Sequence, residues 1–542
     1  MKKQRKLKVW LSLLLAVMMV AGLVGCSSSS SSSTSDTTSG STETEGTGEA
    51  AESTTGGGTI DSITVVQDAD PGTMNPWGSS STGLLRTKLY VYQTLFQYDE
   101  EYNLTPIVGE NWVQDDETHY TVTIQEGVYD SAGNKIDAND VLCSYQLASE
   151  SSAASSTFTY VDIDNCQVID DYTVQLAFTQ ETEFAFYNLM NQICVVSQAS
   201  YEADPDEFVN NPVGSGPYVL DSWIVGTSMT LKKNENYWKD LTSLPEADQV
   251  SMQNTDTITI KFVSEASQRA IELETGSADV IYDCQATDVA RFEENENYTV
   301  YVDSSTKTLS TYFNCTDNSA CSDVRIRQAI AYAIDTVAIA SVALEGYGEA
   351  LYSTAHQLTE EWRDSYAEGD VYYAQDLEKA KELLAEAGYA EGELTLHVMV
   401  DETAMKRSAA QILQAACSEI GINVEIDQLE TAVFQANIGD LTAWDMYMGV
   451  GTFNVYTVAS LVTQIEKTGY PEDTDLRTAI NEAFRVYDEE TSDAAIAAWN
   501  EEIPIYYMAS VQNIYVYDNT KIGNLSIDKN MCFWVGQFTS AS

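Results

Sequence analysis

A chain of 542 residues with 44% hydrophobic content can bury the cores of two or three domains, so it is not a disordered chain. Its 27 basic and 83 acidic residues give a net charge of −56, a field that repels phosphate backbones and disfavours nucleic acid or anionic lipid as a partner. Only His119, His356 and His397 are present, far apart and in strand or loop contexts, so neither a Ser or Cys triad nor a His-rich zinc site is spelled out.

Lys2, Lys3, Arg5, Lys6 and Lys8 precede an apolar run from Val9 to Val24. This pattern matches an export signal, and the run is too short and wrongly flanked for a comfortable spanning helix. Leu23-Val24-Gly25-Cys26 resembles a bacterial lipobox, which implies loss of residues 1–25 and lipidation of Cys26. Acyl chains anchor at about 0.8 kcal/mol per buried CH₂, without a transmembrane helix. The remainder then carries 22 basic against 83 acidic residues, a net charge of −61. Residues 26–58 read as a Ser/Thr/Gly-rich tether with no aromatic residue, unable to bury a core. As a flexible coil it spans about 30 Å.

Order is predicted from Ile60, where Ile63 and Val65 mark a strand running into the turn DADPGTMNP. Leu84, Leu85, Leu89, Tyr92, Leu95 and Phe96 are spaced as one face of a helix. Leu104 to Ala148 reads as a strand pair, an AGN turn at Ala132 to Asn134, and a helix capped near Asp137 or Asn139. Asp171 to Phe178 and the apolar segment Phe184 to Leu189 complete a small separate domain. Two prolines and two glycines preset the turn Asn211 to Pro217. The hairpin after it puts Tyr218, Leu220 and Ile224 on one face, continued by Met229 and Leu231 beyond Gly226.

Thr257 to Val263 alternates as a strand, and Asp376 caps a helix that stops at Gly388. Leu394 to Leu429 is strand, helix and strand, and its crossover length calls for parallel pairing. Asp473 to Glu501 is helical, followed by strands at Ile503 to Ala509 and Asn513 to Asp518. Cys143, Cys194 and Cys417 read as small buried hydrophobes. Cys315 and Cys321 close a short loop that could be bridged or left as two thiols. No GxxxxGK[ST] occurs, so any ATPase that powers transport is another protein.

The turn at Asn211, its hairpin and the terminal NENYW at Asn234 to Trp238 resemble the signature of the oligopeptide- and dipeptide-binding family, family 5 of the extracytoplasmic solute-binding lipoproteins of bacterial ABC transporters. Leu104 to Ala148, Arg269 to Asp279, Thr311 to Asp335 and Ile503 to Asp518 resemble further family blocks, so the likeness covers nearly all of Ile60 to Val535. In the third of these, Arg325 and Arg327 are expected to anchor a helix. The resemblance implies an α/β, two-lobed periplasmic-binding-protein fold of type II, with mixed sheets flanked by helices. Lobe one would comprise 59–80, 191–285 and 506–542, an extra domain 81–190, and lobe two 286–505. Two crossing segments would form a hinge, expected near Asp283 to Thr287 and Ile503 to Ala509.

The implied function is capture of oligopeptides or dipeptides in an interlobe cleft and delivery to a permease and ATPase. The protein would be a lipid-anchored monomer on the extracytoplasmic face of the cell membrane of a Gram-positive bacterium, with no cofactor, metal or catalytic residue. Related members bind sugars, metal chelates or opine-like compounds, and a surface sensor or adhesion lipoprotein would share the tether and fold. In the family, the segment after a (Y/F)D strand runs beside the peptide as an added strand and carries an Asp for the ligand ammonium. Here that stretch is Trp444 to Asn454, with Asn454 at the Asp position and Gly451 where Trp is common. An amide carries no charge, and losing the ionic partner of a desolvated cation costs on the order of 3–5 kcal/mol. Either another acid supplies the charge, with Asp70 a candidate, or the ligand is not an ordinary free-amine peptide. The implied site combines Met74 and Asn75 from lobe one, Asn314, Gly451, Thr452, Phe453 and Asn454 from lobe two, and Tyr506, Tyr507 and Trp534 from the returning segment.

Overall fold

The computed structural model describes residues 58–99, 103–242, 244, 251–453, 455–527 and 532–541. The export signal, Cys26, the tether up to residue 57 and Asn454 lie outside the described residues.

The strand Ile60–Gln67 buries Ile63, Val65 and Val66, side chains on both of its faces, as expected of a strand paired in parallel on both sides within a mixed sheet. It pairs in parallel with Thr255–Phe262, Ile63 opposite Ile258 and Val65 opposite Ile260. The seven-stranded sheet of lobe one runs in the order Tyr218–Ile224, Ser228–Lys233, Thr255–Phe262, Ile60–Gln67, Val280–Ile281, Asn513–Asp518, Tyr298–Asp303. Lobe two holds six strands in the order Gly348–Ala350, Ile505–Val511, Lys307–Phe313, Met446–Thr452, Leu394–Val400, Ile422–Gln428. Leu394 lies opposite Ile422 in a parallel pair, with the helix Ala404–Glu419 as its crossover. A third, antiparallel sheet of four strands, spanning residues 109–177, builds the extra domain. Its helix Ala138–Ser149 starts at a capping box between Asp137 and Asp140, a device that stabilises by about 1 kcal/mol.

The helix expected to reach Phe96 ends at Val91, and Gln93–Thr94 and Phe96–Tyr98 are short strands. The stop is supplied from far along the chain. Gly216 N–H donates to Val91 O at 2.8 Å, and a Cβ on Gly214 would lie 2.2 Å from that same oxygen. The glycines of the Asn211–Pro217 turn thus let the backbone dock on the helix terminus, where any side chain would collide. In the hairpin, the register shifts between Leu220 and Ser222. The extra residue reverses the alternation, so Trp223 takes the inward phase and Ile224 is 62% exposed instead of sharing a face with Tyr218.

Sheet membership also moves the expected crossings. Tyr298–Asp303 is a lobe-one strand and Lys307–Phe313 a lobe-two strand, so the first crossing is residues 304–306. Ile505–Val511 belongs to lobe two and Asn513–Asp518 to lobe one, which leaves Gln512 as the second. Asp283 to Thr287 lies wholly within lobe one, and Ile503 to Ala509 wholly within lobe two. Correspondingly, the helix Ala286–Glu293 packs in a lobe-one cluster through Val289 and Phe292, and residues 506–511 pass to lobe two. Cys315 and Cys321 are buried free thiols.

Candidate functional site

Asp68 and Asp283 follow the lobe-one strands Ile60–Gln67 and Val280–Ile281, and Lys307 opens the lobe-two strand Lys307–Phe313. With Arg86 of the helix Thr82–Val91 they form a set of four interacting charges beside the crossings. Arg86, buried on its helix, donates to Asp68 at 2.9 Å and to Asp283 at 2.8 Å, and its guanidinium lies 3.9 Å over the Tyr282 ring. Burial opposes the Arg86 charge, but Asp283 and Asp68 outweigh it and raise its pKa. Burial likewise opposes the Asp283 carboxylate, yet Arg86 and Lys307 hold its pKa below the ordinary value. Asp283 adopts a φ of 50°, a left-handed conformation uncommon for a side chain other than Gly, Asn or Asp. Lys307, first residue of its lobe-two strand, donates to Asn513 Oδ1 at 2.8 Å, across the second crossing. Burial lowers its pKa despite the pull of Asp283.

Lobe two contributes an open strand edge. Met446–Thr452 pairs along its whole length with Lys307–Phe313. On its other side only Met446 and Tyr447 pair, with Val398 and Met399. From Met448 to Thr452 this edge faces no further strand among the described residues, and Val450 and Thr452 are exposed. A Cβ on Gly451 would sit 3.0 Å from Tyr312 Oη and 3.2 Å from Gln464 Oε1. Glycine therefore lets the strand lie close to the residues beneath it.

The residues expected to line the site separate sharply. Gly451 and Thr452 form the end of that strand, and Asn75 stays half-buried on the lobe-one loop, its Oδ1 accepting from Trp77 N–H at 3.0 Å. Met74 is fully buried in the lobe-one core. Asn314 donates to Leu441 O and Trp444 O and accepts from Thr316, so its amide is fully used inside lobe two. Tyr506 donates to Tyr372 O, and Tyr507 donates to Gln464 Oε1, which also accepts from Tyr312. Both tyrosines are fully buried, as parts of a strand covered on its two faces, and Phe453 packs 4.8 Å from Tyr507. Trp534 is buried against Tyr90 in lobe one. Asp70 accepts from Gly72 N–H, Trp223 Nε1–H and Gly226 N–H, so it fastens the hairpin tip to the loop. Arg327 is buried and donates to Glu502 and to the carbonyls of Cys321 and Ser322.

Arg86, Asp283, Lys307 and Asn513 were missed from sequence. Their contacts span 197 residues (Arg86 to Asp283) and 206 residues (Lys307 to Asn513), and no local pattern marks either pair.

The histidines stay apart chemically. His119 pairs with Asp116 and His397 with Asp427, both at the surface. Burial lowers the His356 pKa to about 4, and its Nδ1 accepts from Leu358 N–H, which keeps the ring neutral. Among the described residues no group of three or more His, Cys, Asp or Glu side chains is placed to hold a metal ion.

Residues 103–469 match the family described as "Bacterial extracellular solute-binding proteins, family 5 Middle". The glutathione-binding protein GsiB of Escherichia coli (strain K12) is 26% identical over 370 residues, 68% of this chain and 69% of that protein. In fold, the chain is similar to the oligopeptide-binding protein AppA of Bacillus subtilis in complex with a nonapeptide, with a TM-score of 0.73 and 18% identity over 90% of this chain and 100% of that one. It is also similar to NikA from Brucella suis in complex with Fe(III)-EDTA, with a TM-score of 0.74 and 20% identity over 88% and 99%.

Proposed function

Because the chain belongs to the bacterial extracellular solute-binding proteins of family 5, a family of transport and binding proteins and not of enzymes, we propose that it captures oligopeptides or dipeptides between its lobes. The open backbone edge of Met448 to Thr452 carries this reading. An extended peptide can add there as a further strand, with main-chain hydrogen bonds giving affinity and pockets on alternate side chains giving selectivity. Asn454 would then follow the added strand, and Asn75 would approach from lobe one. The closed form would be handed to a permease driven by a separate ATPase. Lipidation of Cys26 and the tether of 26–58 would hold a monomeric binding body close to the cell membrane, on the outer face of a Gram-positive cell.

Calorimetric titration with trialanine and with trialanine methylated on its central amide nitrogen tests the reading. Backbone pairing requires the methylated peptide to bind at least about tenfold more weakly, the loss expected for one or two hydrogen bonds. Absence of binding by trialanine, reduced glutathione and a dipeptide mixture, together with a non-peptide solute in the mass spectrum of the denatured protein, would replace it.

A second reading has its own support. Asn454 supplies no charge for a ligand ammonium, and Asp70 has two of its oxygens engaged by three N–H donors. A solute without a free amine, such as a blocked peptide, a sugar or a metal chelate, is consistent with both facts.

A further inference from the structure

Phe184 belongs to the extra domain by sequence and to lobe two by packing. It lies in the first turn of the helix Glu183–Gln192, whose neighbouring residue Phe186 stacks on Tyr120 within the extra domain at 4.1 Å. Phe184 points the other way. It is 2% exposed and sits in the lobe-two core, with ring centroids 4.5 Å from Tyr456, 4.8 Å from Tyr487 and 5.3 Å from Phe484. Tyr160, also from the extra domain, lies 5.1 Å from Phe484. At the rim, Arg485 and Glu181 approach to 3.6 Å with both side chains about two-fifths exposed.

The extra domain is continuous with lobe one, whereas Tyr456, Phe484 and Tyr487 are lobe-two residues, so this cluster joins the two sides through residues other than the crossing segments 304–306 and 512. Tyr456 also immediately precedes the helix Thr457–Gln464, in the segment that follows the open strand edge. Hinge opening must withdraw the Phe184 ring and leave three large apolar side chains facing water, which is unfavourable. We infer that Phe184 is a latch: the extra domain keeps the cleft shut by inserting this ring beside Tyr456 and so holds the segment along which the solute lies. The inference rests on the solute-binding reading for its effect on release, and on geometry alone for its effect on closure.

The test needs no solute. In the full chain without added ligand, Phe184→Ala should raise the radius of gyration from small-angle X-ray scattering and speed amide exchange of residues 455–464 and 484–488 by roughly tenfold or more. Tyr487→Ala, from the opposite side, should do the reciprocal at residues 181–190, with exchange in Leu394–Val400 unchanged. Unchanged scattering in both variants, or faster exchange confined to the mutated side, would overturn the latch. If Phe184→Ala also loosens the extra-domain strand His119–Ile124, Glu181→Arg decides, because it puts like charge opposite Arg485 at an exposed rim. A smaller acceleration at 455–464 is then expected, and none would overturn the proposal. With trialanine as probe, the same variants should shorten the residence time of the complex. If trialanine does not bind, the peptide reading fails while scattering and exchange still report on the latch.

Discussion

The two halves of this molecule meet in two chemically opposite ways. Beside the crossings the contact is polar: Lys307 of lobe two donates to Asn513 of lobe one and is attracted by Asp283, a member of the lobe-one cluster of Arg86 with Asp68 and Asp283. Between the extra domain and lobe two it is aromatic: Phe184 among Tyr456, Phe484 and Tyr487. Ionic groups close to a hinge axis move little when the lobes separate, and water can solvate whatever is exposed. An apolar ring inserted between side chains of the other lobe is either in place or not. The first contact therefore fits a permanent fastening, and the second a two-state closure.

Removing Arg86 from the charged cluster beside the crossings should have the largest effect. Arg86→Ala leaves Asp68 and Asp283 without their common cation. Breaking a fully buried pair costs about 3–5 kcal/mol, and because a third or more of each carboxylate side chain is exposed the expected loss is nearer about 2–3 kcal/mol. A urea titration measures it. Arg86→Lys should recover less than half, since an ammonium cannot fork to two carboxylates while lying flat over Tyr282. A loss under about 1 kcal/mol for Arg86→Ala, the value of an exposed pair, would remove the Arg86 cluster from the comparison.

The pH dependence comes next in size. The folded pKa of Asp283 lies below its unfolded value of about 3.9. Its contribution is therefore fully present above that value and is lost as the pH falls through the folded pKa. The urea midpoint of the native protein should fall below about pH 4 more steeply than that of Arg86→Ala. Parallel pH profiles would separate Asp283 from Arg86 energetically. Salt divides the two contacts in the same way. At high ionic strength the Debye length shrinks to about 3 Å, so the gap between native protein and Arg86→Ala should narrow. The gap between native protein and Phe184→Ala should not narrow, because apolar burial is not screened.

Much of the scaffold was legible because periodicity and chain length constrain it. The crossover from Leu396 to Val424 demanded parallel strands, and Asp137 and Asp376 announced helix starts through their capping chemistry. What failed depends on contacts distant in sequence. The helix expected to run to Phe96 is stopped by Gly214 and Gly216, more than 100 residues later, and the shift at Leu220/Ser222 reversed the phase of Ile224. Tyr506 and Tyr507 looked like cleft residues because tyrosine suits wet and dry surfaces alike. Only the sheet order, which buries their strand between Gly348–Ala350 and Lys307–Phe313, assigns them to the core. The turn at Asn211 identified the family, and in the structure it is a docking element for a helix end.

The smallest effect on stability, and the one most specific to solute, belongs to Asn454. By sequence it lies between the open edge of Met448 to Thr452 and Tyr456, so it connects the strand that would receive a peptide to the residue that receives the latch. Asn454→Ala should leave the urea midpoint unchanged and weaken trialanine binding by about fivefold to tenfold, the value of one hydrogen bond. Asn454→Asp should strengthen binding of free-amine peptides and leave N-acetylated ones unaffected, because only an ammonium gains a charged partner. If Asn454→Ala shifts the midpoint as well, the residue supports the segment instead of touching solute, and the closure at Phe184 and the site at Asn454 become one mechanical unit. If neither substitution changes binding, the solute is recognised elsewhere, and substitution of Lys307 in the charged cluster with Arg86 and Asp283 tests that cluster as the alternative.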